Sequence, residues 1–298
     1  MAIKGLNPDW FEYPKKGSNP ITKIDHVKRK FLDIPYAQDS DLQKLDIYLP
    51  DEVKEKYPVI INIHGGGFSV CDKRDFHLYP TLFGWQQGFA VVSINYRLSP
   101  AVRFPEHYYD VMRALKWVSQ NAKEYSLDTN NVFLWGTSAG GTLVLLAGQD
   151  DIMPLPFQYR PVNLRLAAVA SFCPGLDYMD LGMRKINLEQ ILLRFMMSQT
   201  RKGIFGSNKP SQAQLDQINP LTYLKKGFPP LYIMHGDSDP AIPYRQAVSL
   251  YKHMQPLLPE KDLILHPLRG GVHAGAKAEF FIIENVQPVL DFFKTHII

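Results

Sequence analysis

The chain has 298 residues, 45% of them hydrophobic, and a formal net charge of +4 spread along its length. This is ordinary globular composition, and with no basic cluster longer than Lys28–Lys30 and no nucleic-acid module, nucleic acid is not an expected partner. Cys71 and Cys173 are too few for a disulfide framework, no secretory apolar region opens the chain, and no apolar run approaches the ~18 residues of a membrane span, so a cytoplasmic protein without membrane contact is expected.

Residues 1–20, rich in Pro, Gly, Asn and aromatics, predict an irregular N-terminal arm. Residues 22–33 and 43–49 alternate apolar and polar, as half-buried strands do, and suit an antiparallel or mixed edge. The runs at 58–63, 89–96, 131–136, 166–172, 230–235 and 262–266 are nearly continuous apolar, the pattern of strands covered on both faces. Between them, residues 106–123, 139–148, 243–255 and 283–297 carry helical patterns. Strand and helix alternating in this way predict one α/β domain with a mostly parallel sheet. The connection from Pro174 to Pro229, at 56 residues, is longer than a crossover needs. Its middle, 186–199, reads as a helix that is apolar on more than one side. Two readings stand: a core helix, or part of a cap-like insertion over the carboxyl edge of the sheet, with Met179, Met183, Met196 and Met197 as an adaptable lining.

Two short stretches carry chemistry. The first is 132-VFLWGTSAGG-141, where an apolar strand runs through G-x-S-x-G into a helix of small residues. A sharp turn of this kind exposes a serine hydroxyl, here Ser138, at the sheet edge, and the glycines leave room for neighbouring backbone. The second is 64-HGGGF-68, three glycines directly after an apolar strand. Serine attack on an acyl group develops an oxyanion, which needs fixed N–H donors. The residue after the serine, Ala139, supplies one. A glycine loop can bring others close, so Gly65 and Gly66 complete the expected oxyanion hole.

A serine hydroxyl also needs a base. Of nine histidines, His273 is preferred because it lies in a glycine loop just past the last strand. His266, inside that strand, is the second choice, and His64 reads as a structural hydrogen-bonder. The base in turn needs an acid. The loop 235-HGDSDPAIP-243 offers Asp239, the preferred residue, and Asp237, whose alternative role is to cap the turn. The order Ser138, Asp239, His273 follows.

These residues resemble the α/β-hydrolase superfamily, and within it the HGGG-type carboxylesterases. The likeness covers most of the chain: HGGGF, 95-NYRLSP-100, residues 104–122, VFLWGTSAGG, 230-PLYIMHGDSDPAIP-243 and the late GVHAG. The acid loop is similar to the H-G-x-x-D-x-x-V-P loop of bacterial acetylesterases and feruloyl-esterase-like proteins, which favours Asp239. Thr137 departs from the G-D-S-A-G of the hormone-sensitive-lipase-like branch, and Ala274 from the family's G-x-x-H-G-F. The resemblance implies an α/β-hydrolase fold of about eight strands with a helical cap at 174–229. It implies hydrolysis of short acyl esters, acetyl to butyryl-like, with no metal or organic cofactor and a small-molecule ester as the binding partner. A homodimer is compatible with this reading. An arylformamidase-like amidase or thioesterase would use the same triad, and a catalytically silent binding protein is the alternative of another class. Metal chemistry would have only the loose grouping Cys71, Asp75 and His77 to draw on.

Overall fold

In the computed structural model, residues 8–12, 19–149, 154–180, 188–274 and 278–298 are described. The first two strands, β1 (Phe11–Glu12) and β2 (Ile21–Thr22), pair antiparallel in a small separate ladder. Most of the expected arm lies outside the described residues. Trp10, which is described, packs edge-on against His26 and Tyr79.

The main sheet contains β3 (Arg29–Pro35), β4 (Lys44–Leu49), β5 (Tyr57–Ile63), β6 (Ala90–Ile94), β7 (Leu127–Thr137), β8 (Leu166–Phe172), β9 (Leu231–Gly236) and β10 (Leu263–Leu268). Their order across the sheet is β10-β9-β8-β7-β5-β6-β4-β3. The stretch expected at 43–49 becomes β4, whereas that expected at 22–33 is strand only at its ends, in β2 and from Arg29 in β3; β3 and β4 pair antiparallel at one end of the sheet, and the apolar runs form the parallel body. Successive side chains alternate between two apolar layers. Val59, Ile61, Val132 and Leu134 enter one core, and Ile60, Phe133 and Trp135 enter the other.

Seven helices are described: α1 (Tyr79–Gln86), α2 (Glu106–Asn121), α3 (Ala139–Ala147), α4 (Leu188–Phe205), α5 (Gln212–Ile218), α6 (Arg245–Met254) and α7 (Ile283–Lys294). The buried residues of α1 and α7 join the core on one face, and those of α2, α3 and α6 join the core on the other. Neither α1 nor α5 is among the helices expected from apolar periodicity. Six of the eight α1 residues are buried, so no polar stripe marks it, while α5 is a short helix with one buried residue. Helix α4 runs six residues past the expected end at 199.

Strand register positions the functional loops. Ile63 is level with Gly136, Thr137 with Phe172, Phe172 with Met234 and Gly236 with Leu268. Four adjacent parallel strands therefore end together. The segments that follow them, starting at His64, Ser138, Cys173 and Asp237, emerge side by side at the carboxyl edge, joined by the loop after β10.

Candidate active site

Ser138 joins β7 to α3 with φ 57° and ψ −116°, a conformation that non-glycine residues rarely adopt. Such backbone costs about 1–3 kcal/mol and persists only where neighbours enforce it. The enforcement is visible here. A Cβ on Gly140 would land on the carbonyl oxygen of Ile63 at the end of β5, so α3 starts hard against the neighbouring strand. The Ser138 amide donates to Phe172 O of β8 at 2.8 Å.

The structure brings His273 to this serine. Its Nε2 lies 2.9 Å from Ser138 Oγ, and its Nδ1 lies 2.7 Å from Asp239 Oδ2. The tautomer that satisfies both contacts has Nδ1–H donating to the carboxylate and Nε2 accepting from the serine hydroxyl. Asp239 Oδ1 accepts from the amides of Ala241 and Ile242 at 2.8 and 2.9 Å, which fixes the carboxylate. Burial would raise the Asp239 pKa, but His273 and His235 hold it well below the usual carboxylate range. Burial likewise opposes charge on His273. The adjoining Cys173 sulfur and the Asp239 carboxylate outweigh it and raise the His273 pKa well above the usual histidine value.

The competing residues have other partners. Asp237 Oδ1 accepts from Gly270 N at 2.8 Å and so ties down the turn that carries His273. His266 Nδ1 meets Tyr232 OH at 2.7 Å within the sheet. His64 stacks on Tyr96 at 4.4 Å and, buried, has its pKa lowered chiefly by desolvation.

The glycine loop lies beside the serine. A Cβ on Gly65 would stand 3.2 Å from Ser138 Cβ, 2.8 Å from Thr137 O and 2.9 Å from His77 Nε2. Gly66 has φ +90°. Among the described residues no protein acceptor takes the amides of Gly65 or Gly66. Ala139 opens α3, so its amide is one of those with no intrahelical partner.

Two neighbours of the site were not assigned to it from the sequence: His77, named only in a loose metal grouping, and Cys173. His77 Nδ1 meets Asp75 Oδ1 at 2.8 Å, and this pair backs Gly65. Cys173 lies beside His273 because β8 is adjacent to both β7 and β9, an adjacency that strand spacing alone does not reveal. Among the described residues two trios could hold a divalent ion, Cys71 with Asp75 and His77, and Cys173 with Asp239 and His273; in each the ligand atoms lie within 4.8 Å of one another. Of the four methionines expected to line a cap, Met179 is exposed and Met197 packs against the core. Met183 and the Met196 side chain lie outside the described residues.

A mostly parallel eight-stranded sheet, helices on both faces and a strained strand–serine–helix turn at its carboxyl edge define the α/β-hydrolase fold class. Residues 45–254 match the BD-FAE family, and the chain belongs to that family. Curated relatives include esterase LipQ of Mycobacterium tuberculosis, 28% identical over 72% of this chain and 50% of its own length. The probable carboxylic ester hydrolase LipM of the same organism is 32% identical over 72% of this chain and 49% of its own. The chain thus spans about half the length of these relatives. Among solved structures, a truncated carbohydrate esterase from gut microbiota superposes with a TM-score of 0.75 at 24% identity, over 93% of this chain and 99% of that one. Esterase B of Lactobacillus rhamnosis superposes with a TM-score of 0.72 at 22% identity, over 92% and 86%. At these identities the structural likeness concerns the fold. No helix among the described residues is long and apolar enough to cross a membrane.

Proposed function

We propose that the chain is a serine carboxylesterase acting on short-chain acyl esters. The observation that carries this reading is the His273 imidazole, which bridges Ser138 Oγ at 2.9 Å and Asp239 at 2.7 Å. Ser138 Oγ attacks the ester carbonyl carbon while its proton passes to His273 Nε2, and Asp239 stabilises the imidazolium. The amides of Gly65, Gly66 and Ala139 receive the oxyanion. Collapse breaks the carbon–alkoxy bond, and the alcohol leaves with the proton from His273. Water, deprotonated by the same ring, then releases the acid and restores Ser138. Every bond made or broken in this cycle is served by a residue already in contact with its neighbour. The names of the curated relatives, both ester hydrolases, agree with this. Two free cysteines, one beside the base, fit a reducing compartment such as the cytoplasm.

The test is turnover of 4-nitrophenyl acetate. Ser138→Ala lowers kcat by at least about a thousandfold. Folded wild-type protein that neither turns over short esters nor reacts with a fluorophosphonate would refute the reading in favour of a binding protein.

A further inference from the structure

The net charge of +4 is not spread evenly, as a first count of the chain implies. Residues 181–215 hold six of the 33 basic residues (Arg184, Lys185, Arg194, Arg201, Lys202, Lys209) and one of the 29 acidic ones, Glu189. The remaining chain has 27 basic residues against 28 acidic, so the whole positive excess sits in this stretch. Its helix α4 packs beside the glycine loop of the candidate active site. Thr200 of α4 is 3.4 Å from where a Cβ on Gly67 would stand. Arg201 Nη1 reaches Tyr178 O at 3.4 Å, and Tyr178 OH meets Thr142 Oγ1, one helical turn beyond Ser138, at 3.2 Å.

Arg201 is the unusual member. It shares a helix face with Met197, Ile204 and Phe205, of which the last two are buried, so it points inward. Among the described residues its buried Nε has no partner, and its one hydrogen bond, to Tyr178 O, is long. No carboxylate pairs with it among the described residues; the acidic side chains outside that set are Asp150, Asp151 and Glu189, the last twelve residues and so about 18 Å away along the helix axis. The helix dipole accounts for an exposed cation in the last turn, as Lys202 is, but not for an inward one. A guanidinium withdrawn from water without a counter-charge is costly. On the other flank of Thr200, Arg103 and Lys202 line a cavity of about 520 Å³ with Ser69 and Ser99, again with no acidic partner among the described residues.

We propose that the ester accepted here carries an anionic group, a carboxylate in the first instance, which Arg201 receives while Arg103 and Lys202 draw it to the mouth of the site. The proposal rests on the esterase reading and adds the substrate's charge. An arginine with an open Nε edge offers a paired donor geometry for a carboxylate. A local excess of one sign of charge raises encounter rates with the opposite sign.

Two matched pairs of esters test it and separate the two ends of the substrate. Mono-4-nitrophenyl succinate against 4-nitrophenyl butyrate places the carboxylate on the acyl side, and 4-acetoxybenzoate against 4-acetoxybenzamide places it on the alcohol side. Each kcat/KM is divided by the rate constant for hydroxide hydrolysis of the same ester. In one pair at low ionic strength the wild type favours the anionic ester by at least about tenfold, and the ratio shrinks as NaCl is added. Arg201→Met lowers that ratio by about tenfold or more, and because the ratio compares two esters, any loss common to both cancels. A ratio at or below one in both pairs, a ratio insensitive to salt, or a ratio unchanged in Arg201→Met overturns the proposal while leaving the esterase reading intact. Failure to turn over any of the four esters overturns both.

Discussion

Gly65→Ala is the substitution that most directly separates the oxyanion hole from the fold. The backbone of Gly65 does not have positive φ, so alanine meets no left-handed penalty there. Its methyl carbon would instead sit 2.8 Å from Thr137 O, 2.9 Å from His77 Nε2 and 3.2 Å from Ser138 Cβ. Carbon contacts settle near ~3.5 Å, so the loop must retreat from the serine turn by roughly half an ångström. The turn itself is held by Gly140 against Ile63 O and cannot yield instead. Donors stabilise a tetrahedral oxyanion only within about 2.7–3.1 Å, and a retreat of that size takes one donor out of range. Losing one donor costs about 10²–10³ in kcat. Ground-state binding involves little of that bond, so KM stays within a few-fold. The overpacking costs about 1–3 kcal/mol, which leaves the protein folded with Tm within roughly 10 °C of wild type. The assay is steady-state hydrolysis of 4-nitrophenyl acetate alongside thermal unfolding. A folded Gly65→Ala protein with wild-type kcat would refute the assignment of this loop.

Because His273 must be neutral to accept the serine proton and its pKa is raised, kcat/KM climbs with pH through a limb above the usual histidine value of about 6.5. A pH–rate profile whose acid limb lies at or below that value contradicts it. Asp237→Ala releases the Gly270 amide and loosens the turn bearing His273. It costs about 1 kcal/mol of stability by urea unfolding and lowers kcat about three- to tenfold with KM little changed, whereas Asp239→Asn, acting on the imidazole itself, lowers kcat about 10⁴-fold. Asp46 is fully buried, with Arg74 Nε at 2.5 Å and Lys73 Nζ at 3.7 Å. Asp46→Ala leaves Lys73 and Arg74 with the half-exposed Asp33 as their remaining partner and frees the Asp33 amide, and it destabilises by about 1–3 kcal/mol in urea unfolding, while fluorophosphonate labelling of the folded fraction persists.

Much of this molecule was legible because its pattern is local. Strands β5 to β9 read as apolar runs because both faces are covered, while β4, buried between β3 and β6, alternates because its Asp46 is paired with Arg74. The serine turn is readable from five residues, since the glycines report a steric demand met within the turn and its adjoining strand. The capping box of α5 was also available. Ser211 and Gln214 bond each other's amides, but with one buried residue in the helix no apolar period drew attention to it. Helix α1 has the opposite problem, being buried nearly all round, so periodicity could not distinguish it from a strand or a loop.

What could not be read depends on which strands become neighbours. Cys173 follows an unremarkable strand, and it reaches His273 only because β8 is inserted between β7 and β9. The likeness of the acid loop and the turn-capping role open to Asp237 favour Asp239 in the sequence, but the geometry behind that choice is not readable there. Both follow β9, yet one step of the chain sends Asp237 out to the Gly270 amide and the next turn sends Asp239 inward, where two amides and two histidines converge on it. The charge on α4 lies between these cases. Its excess is a matter of counting, but that Arg201 faces Tyr178 while Lys202 faces out follows only from how the helix packs on Gly67 and Tyr178. On the proposed reading a substrate anion at Arg201 completes an ion pair that no described residue supplies, and the buried Nε, left open by the protein, gains the acceptor it lacks.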